Sequence, residues 1–263
     1  MDTKIVRYIL CRMLGVEAAL LLVPVLVAVI YQEKCGIVFL IPIVILCLLF
    51  WVVGRKRPEH GQIYGKEGMV IVALAWILWS LFGAMPFTLS GYIPSYVDAF
   101  FETVSGFTTT GSSIIPDVEV LPHCLLFWRS FTHWIGGMGV LVFVLVVTSL
   151  DRKNSMHLMR AEVPGPEKDK LVPKAMSTAR ILYGMYLTLT VIEMVFLVIG
   201  GMNLFDSMIF SFGSAGTGGF SNYADSVAHF NSAYIDGVIT VFCALFGVNF
   251  ALFYFMILGD FKS

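Results

Sequence analysis

Apolar residues in this chain come in long blocks parted by short polar intervals, not in the alternation of a strand or the single stripe of a surface helix. Runs without Asp, Glu, Lys or Arg cover 35–54, 68–97, 130–150 and 237–259. Each is near or beyond the roughly 20 residues a helix needs to cross a hydrocarbon core. Two further blocks, about 9–30 and 179–201, share that character but carry Glu17 and Glu193. The pattern predicts an all-α, polytopic membrane protein with six transmembrane helices. Two polar intervals, at about 98–113 and 206–221, are predicted to dip into the membrane and return.

Those intervals belong to a duplication. Asp98–Gly139 and Asp206–Gly247 lie 108 residues apart and share a layout of Asp, short apolar stretch, glycine-centred polar loop and glycine-containing helix. Gly111 follows Asp98 by thirteen residues, and Gly219 follows Asp206 by thirteen. The segments from Asp98 to about Gly106 and from Asp206 to about Phe212 are too short to span but long enough for two helical turns. They are predicted to be pore helices, with an Asp at the positive N-terminal end and the opposite dipole end aimed at the membrane interior. The chain then divides into an N-terminal hairpin (1–67), a helix, loop, helix unit (68–150), a Pro- and Gly-containing polar linker (151–176) and a second unit (177–263).

Composition agrees with a bilayer. Hydrophobic residues make up 58% and charged residues 13%, against about 25% charged in ordinary soluble domains. Fifteen of the seventeen Lys and Arg fall before span one, between spans two and three, between spans four and five, or after span six. By the positive-inside rule both termini are cytoplasmic and both glycine loops open outward. The basic loops serve topology on this reading and imply no nucleic-acid partner. Lipid is the expected surroundings, in the cytoplasmic (inner) membrane. The five cysteines, at 11, 35, 47, 124 and 243, show no metal-ligand spacing, and sequence alone pairs none of them. The first block lacks a small-residue cleavage site and is interrupted by Glu17, so it reads as a span.

A dehydrated cation needs several oxygen ligands together, and stacked carbonyls with Thr or Ser hydroxyls supply them without a trapping negative charge. Thr108, Thr109, Thr110 and Ser112 suit this in the first loop, and Thr217 and Ser221 in the second. Glycines 111 and 219 allow the dihedrals that turn carbonyls inward. Gly213, Gly216, Gly218 and Gly219 do not make a phosphate loop, for no strand precedes them and no Lys follows. No Ser/His or Asp/Asp pair recurs on facing spans, which disfavours an intramembrane hydrolase, and the chain reads as no enzyme.

Phe100-Phe-Glu-Thr-Val-Ser-Gly-Phe-Thr-Thr-Thr-Gly111, Trp134-Ile-Gly-Gly-Met-Gly139, Arg160-Ala-Glu-Val-Pro-Gly-Pro166 and Gly216-Thr-Gly-Gly-Phe-Ser221 together resemble Trk/Ktr-type potassium uptake proteins, most closely the TrkH branch. The resemblance implies that each helix, pore loop, helix unit forms one wall of a potassium filter. Its members carry four units, and two are present here. It places Thr108, Thr109, Thr110, Gly111 and Ser112 in one loop of that filter and Thr217, Gly218, Gly219 and Phe220 in the other. Potassium would be held by the carbonyls of Thr110, Gly111, Gly218 and Gly219, with Asp98, Glu102 and Asp206 supporting the pore helices. Potassium is then the transported ligand, with no covalently bound cofactor. The implied partners are a missing C-terminal half or a second copy of the chain, and a cytoplasmic nucleotide-binding regulatory subunit of the TrkA type. A non-conducting fragment or assembly subunit is the alternative.

Other residues leave alternatives open. Glu102 either hydrogen-bonds loop amides from behind the filter or sits in an outer vestibule. Arg129 either neutralises Glu102 or Asp117 or snorkels to the interface. Glu17 and Glu193 lie in apolar spans, where a charge faces a partner or cavity. Gly136, Gly137 and Gly139 read as close-packing positions, and His133 and Trp134 as packing residues rather than ligands.

Overall fold

A computed structural model describes residues 3–54, 65–137, 139, 175–250 and 253. The described residues are helical, with loops between. α1 (Thr3–Leu20) and α2 (Leu22–Ile30) form one nearly continuous rod. Its break at Leu21 has a local cause, because Pro24 has no N–H to offer the Leu20 carbonyl one turn back. A 3-10 stretch (Lys34–Phe39) reverses the chain into α3 (Leu40–Leu49), which closes in a π turn (Phe50–Gly54).

α4 (Gly65–Leu89) ends where the Ser90 hydroxyl donates to the Phe87 carbonyl and Gly91 takes φ +80°. The run without charges continues to 97, but charge is not what stops a helix. α5 (Tyr96–Phe107) follows, then α6 (His123–Gly137). α7 (Ala175–Ile199) stops at Gly200 and Gly201, the latter at φ +97°. α8 (Leu204–Ala215) and α9 (Ala233–Gly247) complete the order.

Thr3–Ile30, Lys34–Gly54, Glu67–Leu89 and Ile181–Ile199 are each long and apolar enough to cross a membrane. The expected span over 130–150 is described in α6 as far as Gly137 and at residue 139, whereas that over 237–259 departs from expectation: α9 stops at Gly247, where Val248 is extended (φ −73°, ψ 142°). Residues 138, 140–174, 251–252 and 254–263 lie outside the described residues.

α1 packs on α3 and α4, and α2 packs on α6. α5 lies between α4 and α6, while α8 touches α6, α7 and α9. The core at their meeting is aromatic. Phe107 is edge-on to Trp76, Trp79 and Trp128, and Phe212 contacts Phe127, Phe131 and Trp134. Outward faces are apolar too. Leu40, Ile41, Val44 and Leu48 of α3, and Val191, Val195, Val198 and Ile199 of α7, are all exposed. Left in water such faces would be unfavourable at about 25 cal/mol per Å²; against lipid tails they carry no such penalty.

Candidate functional site

α5 and α8 begin and end alike. Ser95 and Asn203, 108 residues apart, are the N-caps, and their side chains accept from the backbone N–H of Asp98 (3.4 Å) and Asp206 (2.8 Å). The cap is thus the residue three positions before each Asp, and the Asp occupies the first turn. At the other end, the N–H groups of Thr108, Thr109 and Thr110 donate to the carbonyls of Val104, Gly106 and Ser105 at 2.8, 3.0 and 2.9 Å. Those of Gly216, Thr217 and Gly218 donate to Phe212, Ser214 and Gly213 at 3.0, 2.8 and 3.2 Å.

This is a Schellman ending, and it puts the residue just beyond the cap in the left-handed region. That residue is Thr109 (φ +54°) in one loop and Thr217 (φ +57°) in the other. Glycine is the usual occupant; a β-branched residue there stores about 1–3 kcal/mol of strain. Two residues further on, Gly111 and Gly219 take φ +78° and +80°. Each loop therefore has positive φ at alternate positions, in the same register.

The two loops meet backbone to backbone. A methyl group on Gly111 would stand 1.9 Å from the Gly218 carbonyl oxygen, and one on Gly218 would stand 2.8 Å from that of Thr109. α6 runs behind both. A methyl on Gly136 would meet the Phe107 carbonyl oxygen at 2.3 Å, and one on Gly137 the Ala215 carbonyl oxygen at 2.9 Å. Adjacent glycines thus let a single helix lie against the C-terminal ends of α5 and α8. The other sides of the loops are open, with Thr108, Thr110, Ser112, Thr217 and Gly219 exposed. The Thr108 hydroxyl is already committed, donating to the Val104 carbonyl at 2.7 Å, which leaves Thr110 to donate to it at 2.8 Å.

A buried charge pair ties the loops from behind. Arg129 Nε donates to Glu102 Oε1 at 2.6 Å, and its Nη1 donates to the Ser221 carbonyl at 2.9 Å. The same carboxylate accepts from the Ser113 hydroxyl (3.0 Å) and the Ile114 N–H (2.9 Å). Glu102 therefore holds one loop amide, one loop hydroxyl and Arg129 together, and both side chains of the ion pair are buried. The Arg129 guanidinium carbon lies 3.6 Å from the Phe220 ring centroid, and the His133 ring stacks on Phe220 at 3.9 Å and 10°. Two groups so near one centroid must occupy opposite faces. The Phe220 side chain is thus clamped inside the protein.

The second loop is anchored differently. Asp206 accepts from Asn203 Nδ2 (2.7 Å), Asn222 Nδ2 (2.7 Å) and the Tyr223 hydroxyl (2.9 Å). Asp98, its repeat partner, makes no side-chain hydrogen bond among the described residues, and Phe210 stands where the first unit has Glu102. Ala224 N–H also donates to Glu119 at 3.1 Å.

Glu33 was not legible from the sequence as part of this frame. Its carboxylate accepts from the N–H groups of His123 (2.8 Å) and Cys124 (3.0 Å), closing the N-terminus of α6 from 90 residues away. A Glu in a short polar interval carries no local mark of so distant a partner. Glu17 is fully buried, with neither carboxylate oxygen hydrogen-bonded. Glu193 is also buried, and neither of its carboxylate oxygens is hydrogen-bonded. Among the described residues no group of three or more His, Cys, Asp or Glu is placed to hold a metal ion.

A family model described as "TrkH: Cation transport protein" matches residues 36–261. The Trk system potassium uptake protein TrkH of Escherichia coli K12 is 36% identical over 245 residues, which is 91% of this chain and 50% of that protein. The Trk system potassium uptake protein TrkG of the same organism is 35% identical over 240 residues, 90% of this chain and 50% of that one. The crystal structure of the potassium transporter TrkH from Vibrio parahaemolyticus superposes with a TM-score of 0.81 at 31% identity, covering 97% of this chain and 52% of that one. The chain spans about half the length of these relatives. On the extent of the family match and of these likenesses, it belongs to the TrkH family of cation transport proteins.

Proposed function

We propose that this chain supplies two of the four walls of a potassium filter and takes part in potassium uptake across the cytoplasmic membrane. The observation that carries the reading is the shared backbone of the loops, with Thr109 and Gly111 matched by Thr217 and Gly219 in positive φ. Alternating hand along an extended strand turns successive carbonyls to one side, the arrangement a dehydrated cation requires. Strain kept at the same position of both loops points to a site held for function. On this reading the ligands are carbonyl oxygens of Thr110, Gly111, Gly218 and Gly219, with Thr108, Thr109, Ser112, Thr217 and the Phe220 backbone completing the loops. The short helices α5 and α8 are re-entrant pore helices within six spans. Their C-terminal ends point partial negative charge at the ion. Asp98 acts only through its helix end, whereas Glu102 and Asp206 fix loop geometry.

The proposed units are 68–150 and 177–263, joined by a cytoplasmic linker over 151–176 and preceded by the hairpin 1–67, with both termini cytoplasmic. Two loops leave one side of the pathway uncovered. A C-terminal half like that of the relatives is the proposed cover, and a cytoplasmic nucleotide-binding subunit of the TrkA type the proposed regulator.

Rubidium uptake by potassium-uptake-deficient bacteria tests this. The chain alone is expected to give none, and co-expression with the C-terminal half of the Escherichia coli relative is expected to restore it. Gly111→Asp or Gly219→Asp should each abolish the restored uptake. Uptake by the chain alone, lost in both variants, would mean that two copies complete the filter. Uptake indifferent to both substitutions, or none with the second half despite membrane insertion, would overturn the proposal.

A further inference from the structure

We propose that His133 is a specificity-determining residue of the filter: its ring wedges the second loop, fixes the Gly218 carbonyl, and thereby sets the discrimination between potassium and the smaller sodium ion. This role rests on the filter reading above, in which Gly218 supplies a ligand. His133 is fully buried on α6 and meets the second loop at alternate residues. A methyl on Gly216 would stand 2.8 Å from the His133 carbonyl oxygen and 3.1 Å from its Cβ. One on Gly218 would stand 2.7 Å from His133 Nε2 and closer still to Cε1. The edge of the ring therefore fills the volume where a side chain at 218 would begin. Thr110, the counterpart of Gly218 in the first loop 108 residues earlier, keeps its side chain and is exposed. The flat of the same ring lies on Phe220, at 3.9 Å and 10°. One imidazole thus commits its edge to residue 218 and its face to residue 220.

The first loop meets Gly218 at two further points. A methyl on Gly111 would run into the Gly218 carbonyl oxygen, and one on Gly218 would stand 2.8 Å from the Thr109 carbonyl oxygen. Gly218 is therefore bounded by backbone of the first loop and by a ring of α6, with no side chain of its own to take up slack. Neither nitrogen of that ring has a hydrogen-bond partner among the described residues. What His133 gives the loop is thus shape: a flat, rigid body that shifts only with its helix. Truncating it opens space beside Gly218 and beneath Phe220 together. A carbonyl free to shift can follow a smaller ion, so losing the wedge costs discrimination before it costs conduction.

The test uses the full chain with the second half supplied, and measures rubidium uptake with and without excess sodium. In His133→Ala the rubidium concentration for half-maximal uptake should rise about tenfold while the maximal rate stays within about twofold, the mark of lost ion binding. Sodium, a weak competitor of the wild type, should become a strong one. His133→Phe, which keeps a flat ring without nitrogens, should retain more of the discrimination than His133→Ala. Leu125→Ala, at a fully buried position of the same helix, controls for destabilisation and should leave sodium competition unchanged. Unchanged competition in His133→Ala, the same gain in Leu125→Ala, or strong sodium inhibition of the wild type would overturn the proposal. A second measurement needs no conduction. In denaturant titration of the purified chain, Gly218→Ala should lower the midpoint less in the His133→Ala background than in the wild type, because the ring its methyl would meet is gone. Additive midpoints would overturn the contact itself. No wild-type uptake with the second half would overturn the filter reading and this role with it, and the titration would still decide the contact.

Discussion

Alanine at Gly111 and alanine at its repeat partner Gly219 isolate two different costs. Both positions have nearly the same φ, +78° and +80°, so both substitutions incur the left-handed penalty of about 1–2 kcal/mol. Around Gly219 there is nothing within 4 Å for a methyl to meet. At Gly111 the methyl would lie 1.9 Å from the Gly218 carbonyl oxygen, whereas ordinary contact begins at 3.4 Å, so the loops have to part by about 1.5 Å. Backbone cannot rotate away as a side-chain tip can, and overpacking of this kind adds about 1–3 kcal/mol. The expected destabilisation is therefore about 1–2 kcal/mol for Gly219→Ala and about 2–5 kcal/mol for Gly111→Ala. Denaturant titration of the purified chain in micelles measures both. In the rubidium assay with a second half supplied, a displacement above 1 Å at the ion path should lower uptake by Gly111→Ala about 100-fold. Equal destabilisation by the two variants, or a smaller loss at Gly111, would refute the close approach of the loops on which the difference rests.

Glu102→Gln leaves the Arg129 guanidinium buried without a counter-charge and should cost about 3–5 kcal/mol. Combined with Arg129→Met it should cost clearly less than the two single losses added, and a double-mutant cycle that came out additive would mean the pair is not coupled. Glu33 gives a pH dependence. Burial raises its carboxyl, but the hydrogen bonds from Cys124 and His123 outweigh that and hold it below the ordinary range. A carboxyl depressed in the fold stabilises fully above its unfolded pKa of about 4.3 and loses that contribution as pH falls through the lower folded value. Thermal midpoints from pH 7 to pH 3 should therefore drop at the acid end, and Glu33→Gln should flatten that drop; an unchanged profile would count against the clasp on α6. Asp206→Asn should cost about 1–3 kcal/mol, because an amide cannot accept all that the carboxylate accepts from Asn203, Asn222 and Tyr223. Asp98→Asn, without such partners, should cost under about 1 kcal/mol by the same denaturant titration.

Features set by near neighbours could be read from the sequence, and features set by distant ones could not. Apolar blocks announced the long helices because a lipid-facing helix needs little beyond length and apolarity. Charge alone does not mark their ends, as at Leu89, where Ser90 and Gly91 act instead. The helices before each loop are legible through the shift of 108 residues, but the nearby aspartates mask their caps, Ser95 and Asn203. Gly111 and Gly219 stood out as glycines. The left-handed Thr109 and Thr217 did not, since threonine carries no local sign of that conformation and only the Schellman bonds impose it. Arg129 had Glu102 and Asp117 as possible partners, and its choice is made by the packing of α6 on α5.

That packing makes the two repeats unequal. Arg129 and His133 are one helical turn apart on α6, so they share a face, and between them they grip Phe220 of the second loop. Through Glu102 the same Arg129 reaches Ser113 and Ile114 of the first loop. A helix of the first unit therefore props the second unit's loop as well as its own. If the duplication carried this device forward, α9 would offer an Arg and a His in turn to whatever lies beyond it. It offers Gly237 and Val241 at those positions. A grip by guanidinium and imidazole on a neighbouring aromatic thus belongs to the contact between these two loops and is not repeated on α9.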